Sequence, residues 1–295
     1  MKRATTVVVI FTVILGLAAV ATVSARQIIT DYDSYLKRYP YMTYRGAALT
    51  FDSEFEWPEG YDRLDSAQLS PYQYWISFVP LWNPARPVGS PKVGILYKPN
   101  EICRPINLPW RSVSFFDFTI PLQLMAEYDI ARNAPFEFSV RQKYGVDLTY
   151  KKWLEGDVVF SARDSLFFVP AKEKREPSPD QFNKFFGLVT QRSTYASLVA
   201  NCKPVAESDL KPGDMYIAHD VDGLKGKVYI VMCVIRNEAG DKKYIVATGG
   251  TAACDFYIPL FNDRKDYPWI SLDQIKALIP DEYPVKGFYR FTDAG

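Results

Sequence analysis

The stretch PGDMYIAHDVDGLKGKVYIVMCVIRNEAGDKKYIVATGG, residues 212–250, decides the fold. It reads as three consecutive strands. The first covers Asp214–Ala218 and leaves through a Gly-containing turn at Asp222–Gly226. A long strand follows at Lys227–Arg236, then a hairpin turn at Asn237–Asp241, then a third strand at Lys243–Thr248. Apolar and β-branched residues dominate all three, as expected for the core of a small sheet. Helices elsewhere in the chain are expected to pack on this meander.

The chain has 295 residues, a length that suits one large domain or two small ones and allows a real hydrophobic core. Its formal charge is +1, or −1 without Lys2 and Arg3. Neither value, nor any basic stripe, points to nucleic-acid binding. A single histidine, His219, argues against a zinc site built from two or three histidines. No cofactor is expected from any motif.

Residues 1–25 carry a basic start at Lys2 and Arg3, an uncharged apolar run over Thr5–Val23 and small residues at Val23-Ser24-Ala25. That pattern fits a cleaved signal peptide, which would leave the mature protein periplasmic or secreted. The run is also long enough to span a bilayer, so an N-terminal anchor in the inner membrane facing the periplasm is the alternative. Residues 26–59 read as a Tyr-rich N-terminal extension, and residues 60–295 as a single α+β domain.

Within that domain, Ser70-Pro71 caps a short helix through Phe78. The main helix covers Phe116–Ala131, with Asp117 or Thr119 as its cap and Leu122, Met125, Tyr128 and Ile130 as its buried face. Burial of such a face stabilises by roughly 1.5–3 kcal/mol per large side chain. Phe136–Phe138 reads as a strand, and Ala171–Asp180 as an exposed linker. A helix then runs from Ser178 past Ser193 towards Val199. Another follows Ser271, and Gly287–Phe291 is the last strand.

Four cysteines are present, and an exported location permits a disulfide bond. Cys103 and Cys202 fall in loops and form the favoured pair. Cys233 reads as a buried small hydrophobe, and Cys254 fits a structural, paired or reactive thiol. Gly249-Gly250 lacks the spacing of a phosphate loop and reads as a turn or a close backbone approach. Asp220, Asp222 and Gly223 lack the remaining ligands of an EF-hand.

Several stretches carry a wider resemblance: SPYQYWISFVPL near Trp75, LQLMAEYDIA around Glu127, YKKWLEG around Trp153, FFGLVTQRSTYASL around Tyr195, GDMYI at Gly213, PWISL near Trp269 and GFYRF at the end. Together they resemble a family of uncharacterised exported bacterial proteins, mostly from Bacteroidetes, defined by a domain of unknown function (DUF4846). Typical members look as if they place a cysteine at the start of the main helix, a histidine at the start of the long strand and a glutamine one strand later. That order is similar to papain-like hydrolases of the NlpC/P60 type, where a helix N-terminus lowers the thiol pKa and the histidine takes its proton. The resemblance therefore implies an α+β fold, helices packed on a largely antiparallel sheet, distantly papain-like.

This chain departs from the pattern at each position. Asp117 stands where the cysteine would be, Lys227 where the histidine would be, and Thr248 in the third place. His219, eight residues before Lys227, is a fourth member of the candidate site. An Asp117–Lys227 ion pair would hold a cleft closed without thiol chemistry. The competing reading is a helix cap at Asp117, an exposed Lys227 and a surface His219. Two functions follow as expectations. The first is a non-catalytic cell-envelope protein that binds an envelope protein, a glycan or peptidoglycan. The second is a hydrolase of cell-wall amide or glycan bonds that uses Asp117 or Glu127 with His219 or Lys227.

Overall fold

A computed structural model describes residues 37–41, 49–112, 116–143, 147–162, 165–170, 173–261 and 263–292. The apolar leader lies outside them. Among the described residues, no helix is long and apolar enough to cross a membrane.

The helices are α1 (Phe51–Glu54), α2 (Pro71–Ile76), α3 (Ile120–Ala131), α4 (Tyr150–Leu154), α5 (Pro179–Arg192), α6 (Tyr195–Ala200) and α7 (Leu272–Ala277). The first seven strands are β1 (Tyr61–Arg63), β2 (Val88–Ser90), β3 (Gly94–Tyr97), β4 (Ile102–Pro105), β5 (Ser139–Arg141), β6 (Asp147–Thr149) and β7 (Val158–Ala162). Then come β8 (Ser165–Val169), β9 (Cys202–Pro204), β10 (Met215–His219), β11 (Gly226–Asn237), β12 (Lys242–Ala247), β13 (Tyr257–Pro259) and β14 (Val285–Phe291). The fold is α+β, with helices packed against an antiparallel sheet.

The meander of residues 212–250 is the centre of that sheet, which runs β1–β11–β10–β14–β9 with β12 also on β11. Ile230 pairs with both Met215 and Ala247, and Ile235 with both Arg63 and Lys243. β12 therefore takes one edge of β11, while β10 and β1 share the other. Both faces of the sheet are covered. Met215, Ile217, Val228, Ile230 and Met232 face the larger core with α3 and α5. Tyr216, Ala218, Val231 and Val234 face a smaller core closed by α7 and Ile270. Such double burial explains why the stretch is almost continuously apolar. A bulge between Val231 and Cys233 shifts the alternation by one, which puts Met232 and Cys233 on the same side.

Several expectations change. Phe136–Phe138 is not a strand: Pro135–Glu137 forms a turn of 3-10 helix, started by the fixed φ of Pro135. The long helix stops at Arg192. Thr194 then caps α6 through a reciprocal pair of hydrogen bonds with Ser197, which starts a second helix. The expected linker is exposed over its described residues except at Arg175, which stacks 4.0 Å over Trp153 and donates to the Asp157 carbonyl and so ties that point down. On α3, Leu122 is buried, but Met125, Tyr128 and Ile130 are only half-buried against the core. Ile120, Leu124, Ala126, Gln123 and Glu127 are buried instead.

The disulfide bond is also overturned, because all four cysteines are free thiols. Cys103 and Cys202 do not sit in loops but in β4 and β9, in different sheets. Each thiol has its own acceptor, the Lys265 carbonyl for Cys103 and the Leu198 carbonyl for Cys202. Burial pushes the Cys103 thiol up to about 12 and the Cys202 thiol higher still, so both remain protonated.

One buried ion pair fastens the last strand. Arg290 on β14 donates from Nε and Nη2 to the two carboxylate oxygens of Asp214, at 2.7 and 2.8 Å, just before β10. Asp214 has no exposed surface, so burial raises its pKa while Arg290 opposes the rise. Arg290→Met is expected to cost about 3–5 kcal/mol by stranding that carboxylate. Urea unfolding of the two proteins at pH 7 measures it.

Candidate functional site

The residues before α3 bring Asp117 against the start of β11. Gly249 and Gly250 make this approach possible. A Cβ on Gly249 would stand 2.4 Å from the Ile120 Cδ1 and 3.2 Å from the Asp117 Cα. The Asp117 amide donates to the Gly250 carbonyl at 3.1 Å. The glycine pair is thus a close-approach site between backbones rather than a phosphate loop.

Of the two expected caps of α3, Asp117 is not the one used. Thr119 holds the N-cap position. The Asp117 carboxylate accepts from the Tyr195 hydroxyl at 2.7 Å, the Phe118 amide at 2.9 Å and the Val228 amide at 3.2 Å. The Lys227 Nζ lies 3.8 Å from its Oδ2 and donates to the Gly249 carbonyl at 2.8 Å. Thr248 joins the same place through its hydroxyl, which donates to the Val228 carbonyl at 2.6 Å. Asp117, Lys227 and Thr248 are therefore brought together. Lys227 is not the exposed edge residue of the competing reading, since only 19 % of its side chain is exposed.

His219 stands apart from them. It pairs in register with Gly226, and its Nδ1 is 2.6 Å from the Asp220 carbonyl. It is buried rather than a surface side chain. Among the described residues, it makes no hydrogen bond or ion pair with Asp117 or Lys227. Glu127 is likewise in a separate place, wholly buried and clamped by Nε and Nη2 of Arg111. Burial raises its pKa, and the Arg111 hydrogen bonds oppose that.

Tyr195 is the member that the sequence reading missed. Its hydroxyl donates to Asp117 and also lies 2.8 Å from the Gly226 carbonyl. The ring passes over Gly226, where a Cβ would come within 2.9 Å of it. The cap at Thr194 orients Tyr195 at the start of α6. The capping pair Thr194/Ser197 marks the helix start, but nothing near Tyr195 in sequence marks its hydroxyl, and Gly226 lies 31 residues away.

The electrostatics follow from burial. Asp117 is pushed up to about 6 by desolvation, against the pull of Lys227, Tyr195 and the two amides. Lys227 is lowered by burial, against Asp117. Cys254 accepts from the Gly250 amide at 3.0 Å, and burial pushes its thiol up to about 11. The thiol is therefore protonated at neutral pH and a poor nucleophile. The arrangement locks the α3 entry to β11, and it holds a proton on Asp117 only below about pH 6. No group of three or more His, Cys, Asp and Glu that could hold a metal ion occurs among the described residues.

A family profile described as Domain of unknown function (4846) matches residues 51–289. No curated protein and no solved structure matches the chain.

The raised pKa of Asp117 gives a pH-dependent stability term. The folded pKa of about 6 lies above the unbound value of 3.8, so the native state holds the extra proton between them. The contribution is full below about pH 4 and is lost as pH rises through 6, about 3 kcal/mol in all. The unfolding free energy of wild type relative to Asp117→Asn is expected to fall by that amount between pH 4 and 7. Urea titrations across that range measure it. Tyr195→Phe is expected to cost about 1.5–3 kcal/mol at pH 7. It should also move the upper end of the window to higher pH.

Proposed function

The chain belongs to the family of the Domain of unknown function (4846), and from that premise we propose that it is an exported, non-catalytic binding protein of the bacterial cell envelope. In this reading a degenerate papain-like site has become a structural brace. The observation that carries it is the Asp117 carboxylate, which has 1 % residue exposure and is fully engaged by Tyr195, Val228, Phe118 and Lys227. A general base must reach a substrate proton, and a nucleophile must reach an electrophile. A carboxylate sealed by four internal partners does neither.

Further support comes from the order of the parts. A helix entry (Asp117), a strand start (Lys227) and the end of the next strand (Thr248) meet in one place. This is the order of thiol hydrolases of the NlpC/P60 type, with neither the thiol nor the imidazole retained. The apolar run over residues 1–25 supports export. The partner is an envelope protein, a glycan or peptidoglycan. A cavity of about 300 Å³, lined mainly by Ile130, Pro135, Tyr150, Pro177 and Phe182 with Arg111 in its wall, offers a largely apolar receiving surface.

The test is turnover. Purified peptidoglycan and short wall peptides are incubated with wild type and with Asp117→Asn, and released fragments are separated by mass. Wild type is expected to release no more than the variant. Release by wild type that disappears in a folded Asp117→Asn would establish the hydrolase instead.

A further inference from the structure

The β2–β3 hairpin carries an exposed apolar tip with a mostly cationic frame. Residues 91–95 are exposed without a break. Val93 and Ile95 are 64 % and 63 % exposed, and Trp110, against Gly89 lower on the hairpin, is 41 % exposed. The base of the hairpin is fixed. Val88 packs on Ile102, Cys254 and Tyr257 in a small core of its own. Buried Asp255 accepts from the Gly89 amide and from the Trp110 indole, both at 2.7 Å, and its Oδ2 lies 3.7 Å from Arg86. One carboxylate therefore ties the hairpin, the tryptophan and an arginine into a rigid unit.

The charges around this unit are mostly positive. Arg86, Lys92 and Lys98 lie on or beside the hairpin, and the Lys265 Nζ donates to the Pro99 carbonyl. Exposed Glu101, which accepts from the Lys98 amide, and buried Asp255, which faces Arg86, are acidic residues of the same region and leave Lys92 and Lys98 as the exposed cations nearest the tip. The β10–β11 turn provides an internal comparison. It also exposes apolar side chains, Val221 at 82 % and Leu224 at 64 %. There, however, Asp220 and Asp222 offset Lys225 and Lys143. An apolar tip alone does not choose a partner. An apolar tip with a tryptophan lower on its hairpin and a cationic rim matches the interface of an anionic bilayer, where rings settle at headgroup depth and lysines meet phosphates.

We propose that the β2–β3 hairpin is a membrane-docking wedge, whose Val93–Ile95 tip inserts among anionic phospholipid headgroups while Lys92 and Lys98 bind their phosphates. The inference is independent of how the Asp117 site is read. The wedge holds one face of the protein against the bilayer, with Trp110 at the waterline.

The experiment places an environment-sensitive fluorophore on the tip of the full chain, through Val93→Cys in a Cys202→Ser background. The other three cysteines are buried. A second protein carries the fluorophore at Val221→Cys. Each is mixed with vesicles of phosphatidylglycerol and phosphatidylcholine, or of phosphatidylcholine alone. The expected result is a blue shift and quenching by brominated lipid at residue 93 with the anionic vesicles only, and none at residue 221. Lys92→Gln with Lys98→Gln is expected to weaken the response about 25-fold, roughly fivefold per cation removed. Residues 92, 93, 98 and 221 are exposed and Cys202 is half-buried, and unchanged thermal unfolding checks that the variants fold. A tip that stays in water with anionic vesicles overturns the proposal. So does an equal response with neutral lipid or an equal response at residue 221. Shielding of the tip by envelope proteins but not by lipid also overturns it, in favour of a protein partner.

Discussion

A carboxylate without exposed surface must find its partners inside the protein, and the partners of Asp117 come from three different parts of the chain. Tyr195 arrives from α6, Val228 and Lys227 from β11, and the glycine pair after β12 lets the backbone approach. The geometry of the helix–sheet junction is set by that single acceptor. The arrangement does not follow from stability alone. Removing a charge from water costs more than its partners return, as the raised pKa records. What the cluster provides is specificity of position, because few other placements of α3 would satisfy every group.

The sheet around it obeys a second constraint. β11 is covered on both faces and paired on both edges, so nearly all its residues are apolar and nearly all its backbone groups are used. The bulge near Met232 turns the successive residues Met232 and Cys233 to the same core. Asp214 with Arg290 and Glu127 with Arg111 repeat the logic of the central site at other junctions. Each is a wholly buried acid answered by an arginine that reaches solvent only in part.

The meander was legible because its signal is local: alternation, β-branching and turn residues fix strand ends to within a residue or two. The meeting of Asp117 with Lys227 was legible through the resemblance, and the close approach at Gly249-Gly250 through glycine chemistry. Tyr195 was not, since its partner lies 78 residues away and nothing nearby marks the hydroxyl as special. β4 was missed for a similar reason. It is four residues long and pairs with β13, about 150 positions downstream, so its residues read as a loop. The cysteine pairing failed with it. On α3, Gln123 and Glu127 broke the apolar periodicity, because a distant arginine, not solvent, neutralises the glutamate.

The position of β14 has a consequence for how the molecule is assembled in time. Residues 285–291 lie between β10 and β9, so the strands on either side have no direct contact through the ladder until that segment arrives. A chain made or threaded from its N-terminus keeps its main sheet in two pieces while most of its length is already available. Completion falls to a late segment, secured by Arg290 reaching Asp214. Vectorial passage through a narrow channel would meet an unfinished sheet rather than a closed domain.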